Sequence, residues 1–217
     1  MENIINSVLE NKIIVIVRGA ESEKLIPIAE AVYEGGIRLL EITFDNTGKT
    51  TDEETAENIK MLKEHFGDRM HIGAGTVTKT SQVELTKNAG GEFIISPDTD
   101  CEVIAKTKEL GMISMPGALT PSEIKQAHRS GADFVKLFPV STLGADYVKA
   151  VRAPMPHIRM LAVGGIDENN MAEYLKSGVC GFGLGSNIIK KSLVDSCDWD
   201  GLKALAEKYV SIVGGAE

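Results

Sequence analysis

Apolar residues fall along this chain in short continuous runs, separated by stretches in which they recur every three or four positions. The runs read as strands buried on both faces, and the spaced stretches as amphipathic helices. The first run, Ile13-Ile14-Val15-Ile16-Val17, ends at Arg18-Gly19. A helical pattern follows through Ile26, Ala29, Val32 and Tyr33, with Ser22 expected as its cap and Gly35-Gly36 as its stop. Further strands are predicted over residues 37–44, 71–77, 93–97, 112–117, 132–139, 159–163 and 180–184. Helical patterns lie between them. One opens at Thr120-Pro121-Ser122-Glu123, with proline in its favoured first turn, and another at Asp167, expected as a cap. Leu202, Leu205, Ala206 and Tyr209 mark a closing helix.

One order repeats: helix, terminal glycine, apolar strand, polar turn, helix. The glycines expected to end helices, Gly91, Gly111 and Gly131, fall 20 residues apart. Eight strands alternating with helices imply a parallel sheet with both faces covered. A (β/α)8 barrel fits the count and even spacing, with a doubly wound open sheet as the alternative. The expectation is an α/β fold, a single-domain TIM barrel over residues 1–217.

Three charged residues interrupt this apolar grammar. Lys136 lies at the centre of Phe134-Val135-Lys136-Leu137-Phe138, and period two puts it on one face with Phe134 and Phe138. Burial there would lower its pKa and make it a nucleophilic amine; a structural ion pair is the other reading. Glu41 sits likewise within strand 37–44, and Arg18 continues the Ile14, Ile16 face. In a barrel all three converge at the C-terminal mouth, where Thr43, Thr76, Pro97 and Pro116 also fall. Phe134 and Phe138 are expected to wall the lysine and hold its amine neutral. Gly164-Gly165-Ile166 and Gly183-Leu184-Gly185-Ser186 follow the last two strands, where barrels commonly hold a phosphate.

Other patterns point to no further chemistry. Gly48-Lys49-Thr50 lacks the upstream glycine of a phosphate loop, Thr43 standing there, so residues 45–54 read as an exposed loop leading into a helix through Ala56, Ile59, Met61 and Leu62. His65, His71, His128 and His157 are scattered without metal-ligand spacing, and His65 and His128 read as surface residues. The 217 residues are 43% hydrophobic and 25% charged, with a net charge of −8 that argues against a nucleic-acid surface. Cys101, Cys180 and Cys197 are odd in number without a CxxC pair, as suits reduced thiols. No apolar run approaches the ~18 residues of a membrane span, and residues 1–6 lack a basic leader pattern. The expected location is the cytoplasm.

Over residues 13–189 the chain resembles the class I aldolase family of 2-keto-3-deoxy-6-phosphogluconate aldolase and 4-hydroxy-2-oxoglutarate aldolase. The carriers are Ile16-Val17-Arg18-Gly19, Leu40-Glu41-Ile42-Thr43, Gly73-Ala74-Gly75-Thr76-Val77, Ile95-Ser96-Pro97, Pro116-Gly117, Val135-Lys136-Leu137-Phe138-Pro139, Gly164-Gly165-Ile166 and Gly185-Ser186. The resemblance implies that Lys136 forms a Schiff base with a 2-keto acid substrate and that Glu41 is the general acid/base. It implies that Arg18, Thr76 and Pro97 receive the substrate carboxylate, and that Gly164, Gly165, Gly185 and Ser186 bind a phosphate. It implies no metal or organic cofactor, and a homotrimer. The implied reactions yield pyruvate with glyceraldehyde 3-phosphate, or pyruvate with glyoxylate from hydroxyoxoglutarate. Two positions depart from the phosphogluconate enzymes: Asp45, where they often carry arginine, and Val163, where they often carry threonine. The related 2-keto-3-deoxy-6-phosphogalactonate aldolases are similar to this chain at both, which makes that substrate the alternative. A phosphate-binding isomerase or epimerase, or a non-catalytic phosphosugar sensor, is more distant.

Overall fold

Each predicted apolar run forms a strand, and every strand pairing is parallel. The computed structural model describes residues 2–215; Met1, Ala216 and Glu217, which end the expected span, lie outside the described residues. The strands are β1 (Ile13–Val17), β2 (Leu39–Thr43), β3 (His71–Gly75), β4 (Phe93–Ile95), β5 (Ile113–Met115), β6 (Gly117–Ala118), β7 (Val135–Leu137), β8 (Met160–Val163) and β9 (Gly181–Leu184). They form one sheet in the order β5-β4-β3-β2-β1-β9-β8-β7-β6. β5 and β6 are one barrel position interrupted by Pro116. β5 pairs with β4 and β6 pairs with β7, so the chain itself closes the barrel at the proline. The expected eight positions are therefore present, and the TIM-barrel expectation holds.

Two apolar layers explain why the strands read as continuous runs. One side of each strand, including Val15, Leu40, Ile72, Ile94, Val135 and Phe182, packs against the surrounding helices. The other side, including Ile14, Leu39, Phe93, Ile113, Phe134 and Leu161, fills the barrel. The helices are α1 (Glu2–Asn11), α2 (Ser22–Glu34), α3 (Asp52–Phe66), α4 (Thr80–Asn88), α5 (Cys101–Glu109), α6 (Pro121–Arg129), α7 (Gly144–Arg152), α8 (Met171–Lys176), α9 (Lys191–Asp195) and α10 (Trp199–Gly214). Capping boxes start α3 at Thr51 and Glu54, and α6 at Thr120 and Glu123, each satisfying backbone N–H groups that a helix start leaves free.

Local expectations shift in four places. Glu21, not Ser22, precedes α2, and it makes no side-chain cap. Asp167 accepts from the backbone N–H groups of Asn169 and Asn170, so it caps a turn ahead of the short α8. Gly90, at φ +82°, takes the left-handed turn after α4, rather than Gly91. α1 was not expected; its Ile4 and Val8 enter the interior cluster with Ile14, Leu39, Phe93 and Phe134. Those partners stand at or near the starts of their strands, so α1 seals the end of the barrel opposite the mouth.

Val8 is fully buried in that seal. Val8→Ala is expected to cost about 2 kcal/mol through lost burial and a residual cavity, read as a lower denaturant midpoint at unchanged slope. An unchanged midpoint would show that α1 does not close the interior.

Candidate active site

β7 places Lys136 inward at its centre, above Phe134 and beside Leu161 of β8 in register. Its residue exposure is 7%, and that of Glu41 on β2 is 1%. The two line one small cavity with Ile14, Ile16, Ile95, Leu161, Val163 and Gly183. Its volume is about 10 Å³, at the lower limit for a single water. Glu41 Oε2 has no hydrogen-bond partner among the described residues. Room for the carboxylate depends on Gly75 of β3, where a Cβ would overlap Glu41 Oε1.

Dry surroundings shift both groups. Burial holds the Lys136 amine below the ordinary lysine range; the charge of Glu41 opposes this and that of Arg18 adds to it. Burial pushes the Glu41 carboxyl up to about 7, with Lys136 and Arg18 pulling it back. A buried amine and carboxyl each displaced toward the neutral form suit the roles of nucleophile and general acid/base.

Phe138 does not play its expected part. It is 39% exposed, and Lys136 Nζ lies 4.8 Å from its ring centroid. A ring face there favours the ammonium form, because the ring quadrupole attracts cations. Phe134 and the aliphatic residues of the cavity supply the desolvation instead.

Above the pair, Arg18 follows β1 on the exposed rim, and its Nη2 donates to Thr76 Oγ1 at 2.9 Å. Thr76 follows β3 at φ +57°, a region a β-branched residue enters only under constraint. With its oxygen accepting from Arg18, the hydroxyl is free to donate beside the guanidinium, an arrangement that suits a carboxylate. Pro97, half-buried after β4, packs its carbonyl against Gly117.

The two glycine loops occupy different settings. Gly185 and Ser186 line a cleft of about 450 Å³ with Ile16, Arg18, Gly19 and Ile189. Gly164 and Gly165 have φ of +92° and +73° and pack against Phe138 and Ser141; a Cβ at Gly165 would overlap the Ser141 hydroxyl. Ser141 was not singled out from sequence, since nothing in its local pattern ties it to residue 165.

Asp45 holds its own loop together. Its carboxylate accepts from the Thr47 amide and hydroxyl at 2.8 and 2.7 Å, the Lys49 amide at 2.8 Å and the Thr50 amide at 3.0 Å. These bonds, the Thr47 hydroxyl first, hold its pKa down at about 2. The loop walls a second cleft of about 310 Å³ with Arg18 and Thr43.

The sequence profile described as KDPG and KHG aldolase matches residues 4–205. A Rhizobium meliloti protein named "Probable 2-dehydro-3-deoxy-6-phosphogalactonate aldolase" is 34% identical over 96% of each chain. A Treponema pallidum 2-dehydro-3-deoxy-phosphogluconate aldolase is 31% identical over 94% of each. Among solved structures, the KDPG aldolase of Legionella pneumophila, with pyruvate captured as a covalent carbinolamine intermediate, superposes with a TM-score of 0.84. It is 28% identical, and the match covers 94% of this chain and 96% of that one.

The elevated Glu41 pKa has a consequence for stability. Between about 4.3, the unfolded value, and about 7, the folded chain binds the extra proton, so stability falls as pH rises through this window. Glu41→Gln removes that dependence. Its melting temperature is expected to exceed the parent's above pH 7, by an amount on the order of 3 kcal/mol in stability, and to converge with it as pH falls toward 4. A difference independent of pH would contradict the buried titration.

Proposed function

The chain belongs to the KDPG and KHG aldolase family, and from that premise we propose that it cleaves a phosphorylated 2-keto-3-deoxy sugar acid through a Schiff base at Lys136. The observation that carries this reading is a buried lysine sharing a dry cavity with a buried carboxyl that lacks, among the described residues, a hydrogen-bond partner at one oxygen.

The neutral Lys136 amine adds to the C2 carbonyl, and loss of water, with Glu41 moving the protons, gives an iminium. Glu41 then takes the C4 hydroxyl proton. The C3–C4 bonding pair moves into the iminium, leaving an enamine and releasing the aldehyde. Glu41 returns its proton to C3, and water hydrolyses the iminium to pyruvate and free amine. Arg18 and Thr76 receive the substrate carboxylate, with Pro97 beside them. Gly164, Gly165, Gly185 and Ser186 take the far phosphate through backbone amides and the serine hydroxyl. The family resemblance extends the proposal to a homotrimer in the cytoplasm, in keeping with three free cysteines. A sedimenting mass equal to one chain would remove the trimer.

The candidate substrates are 2-keto-3-deoxy-6-phosphogluconate, its phosphogalactonate counterpart and, outside the phosphorylated class, 4-hydroxy-2-oxoglutarate. The second of these is favoured by Val163, an apolar side chain bordering the cavity that holds Lys136, which offers a sugar hydroxyl no hydrogen bond. Asp45 points the same way: its carboxylate is committed to its own loop, where phosphogluconate enzymes often carry arginine. The Rhizobium relative's name agrees.

Pyruvate release tests the proposal. The expected order of kcat/KM is phosphogalactonate first, phosphogluconate about tenfold lower, and unphosphorylated hydroxyoxoglutarate last. Because cleavage needs Glu41 ionised, the rate should fall as pH drops through about 7. Glu41→Gln should lose on the order of 100-fold. No pyruvate from any of the three would overturn the reading, and phosphogluconate in first place would reverse the substrate order.

A further inference from the structure

The strained turn that presents Thr76 is held by a side chain outside the mouth. Thr78 donates its backbone N–H to Gln82 Oε1 at 2.9 Å, and Gln82 Nε2 donates to Asp52 Oδ1 at 2.9 Å. Gln82 is fully buried. The chemistry fixes its orientation, since an N–H can only donate and a carboxylate can only accept. Lys79, which precedes α4, makes no side-chain cap. Gln82, at the third position of α4, reaches back in its place, as the far half of a capping box does. Asp52 is the first residue of α3, so the bridge ties the β3–α4 turn to the helix that follows the Asp45 loop.

We infer that Gln82 is a positioning residue for carboxylate recognition: its bridge from Thr78 to Asp52 fixes the turn that presents the Thr76 hydroxyl to Arg18 and the mouth. One hydrogen bond from the Thr78 N–H to the buried Gln82 amide holds the residue two positions beyond Thr76, and a second, from that amide to Asp52, holds the amide itself. On the other side of Thr78, Val77 is buried and donates to the Ile95 carbonyl at 3.2 Å. With both following residues anchored, the left-handed conformation of Thr76 is over-determined, as a strained residue at a functional position requires. Gln82 touches no substrate in this account. It acts through Thr76, and the inference rests on the proposed carboxylate-binding role of Arg18 and Thr76.

The test measures the pyruvate concentration that half-saturates borohydride trapping on Lys136. Gln82→Met keeps the side-chain volume but removes both bonds. It should raise that concentration roughly tenfold while leaving the trapping rate at saturation within about twofold, because the amine is untouched. Gln82→Glu keeps an acceptor for the Thr78 N–H but sets a carboxylate against Asp52, and should raise half-saturation as well. The exchanged pair Gln82→Glu with Asp52→Asn keeps the acceptor for the Thr78 N–H and rebuilds the contact between positions 82 and 52 with donor and acceptor reversed, and should return half-saturation to within about threefold of the parent. Loss of general stability alone would not give this split between half-saturation and rate, nor its rescue by exchange.

Parent-like half-saturation in Gln82→Met and Gln82→Glu would overturn the inference, as would failure of the exchanged pair to restore binding. Should Gln82→Met not fold, Asp52→Ala breaks the same bridge from its partly exposed end, and an unchanged value there overturns it equally. Failure of the underlying reading looks different. The parent would then not trap pyruvate on Lys136, or Thr76→Ala would bind pyruvate as the parent does.

Discussion

An amine and a carboxyl removed together from water set the terms for the rest of the barrel. Burying either charge alone is costly, and burying both is tolerated when they attract each other. Lys136 and Glu41 meet that condition, each opposing the shift that burial imposes on the other. The attraction is incomplete: Glu41 keeps one oxygen without a hydrogen-bond partner among the described residues, and both groups stay displaced toward their neutral forms. Gly75 leaves the space in which Glu41 sits, and α1 seals the far end with Ile4 and Val8. The interior is thus built around a pair it does not fully satisfy, a common sign that stability has been given up for reactivity.

Recognition is divided from this dry interior by position. The groups proposed to react lie on strands, where the sheet fixes them. The groups proposed to hold carboxylate and phosphate lie on the loops just beyond, where Arg18 is exposed and Gly185 and Ser186 line an open cleft. Arg18 borders both mouth clefts and donates to Thr76, so one guanidinium stands between them. Asp45 and Gln82 act on the loops rather than on the chemistry, one folding residues 45–50 and the other anchoring the β3–α4 turn.

Most of the barrel was legible because its two apolar layers leave a simple trace: continuous runs with a charge in two of them. The same period-two argument put Lys136, Glu41 and Arg18 at one mouth. What escaped was contact between residues distant in sequence. Phe138 shares parity with Phe134 but lies beyond the end of β7, and parity alone could not tell a buried ring from an exposed one. The need for glycine at 75 follows from Glu41 on the neighbouring strand. α1 carries a readable spacing of Ile4 and Val8, yet its partners come from strands spread along the chain. Asp45 was visible as a departure from the family pattern, and its meaning appeared only with the loop folded back onto it.

Burial lowers the pKa of the Lys136 amine, and the pH dependence of its reaction with pyruvate tests that directly. Pyruvate adducts are reduced with borohydride across a pH series and located by peptide mass mapping. The account predicts modification at Lys136, with a midpoint below the ordinary lysine value of about 10.4 that falls further in Glu41→Gln, since Glu41 raises the amine's pKa. Modification at another lysine, or a midpoint at the ordinary value, would contradict it.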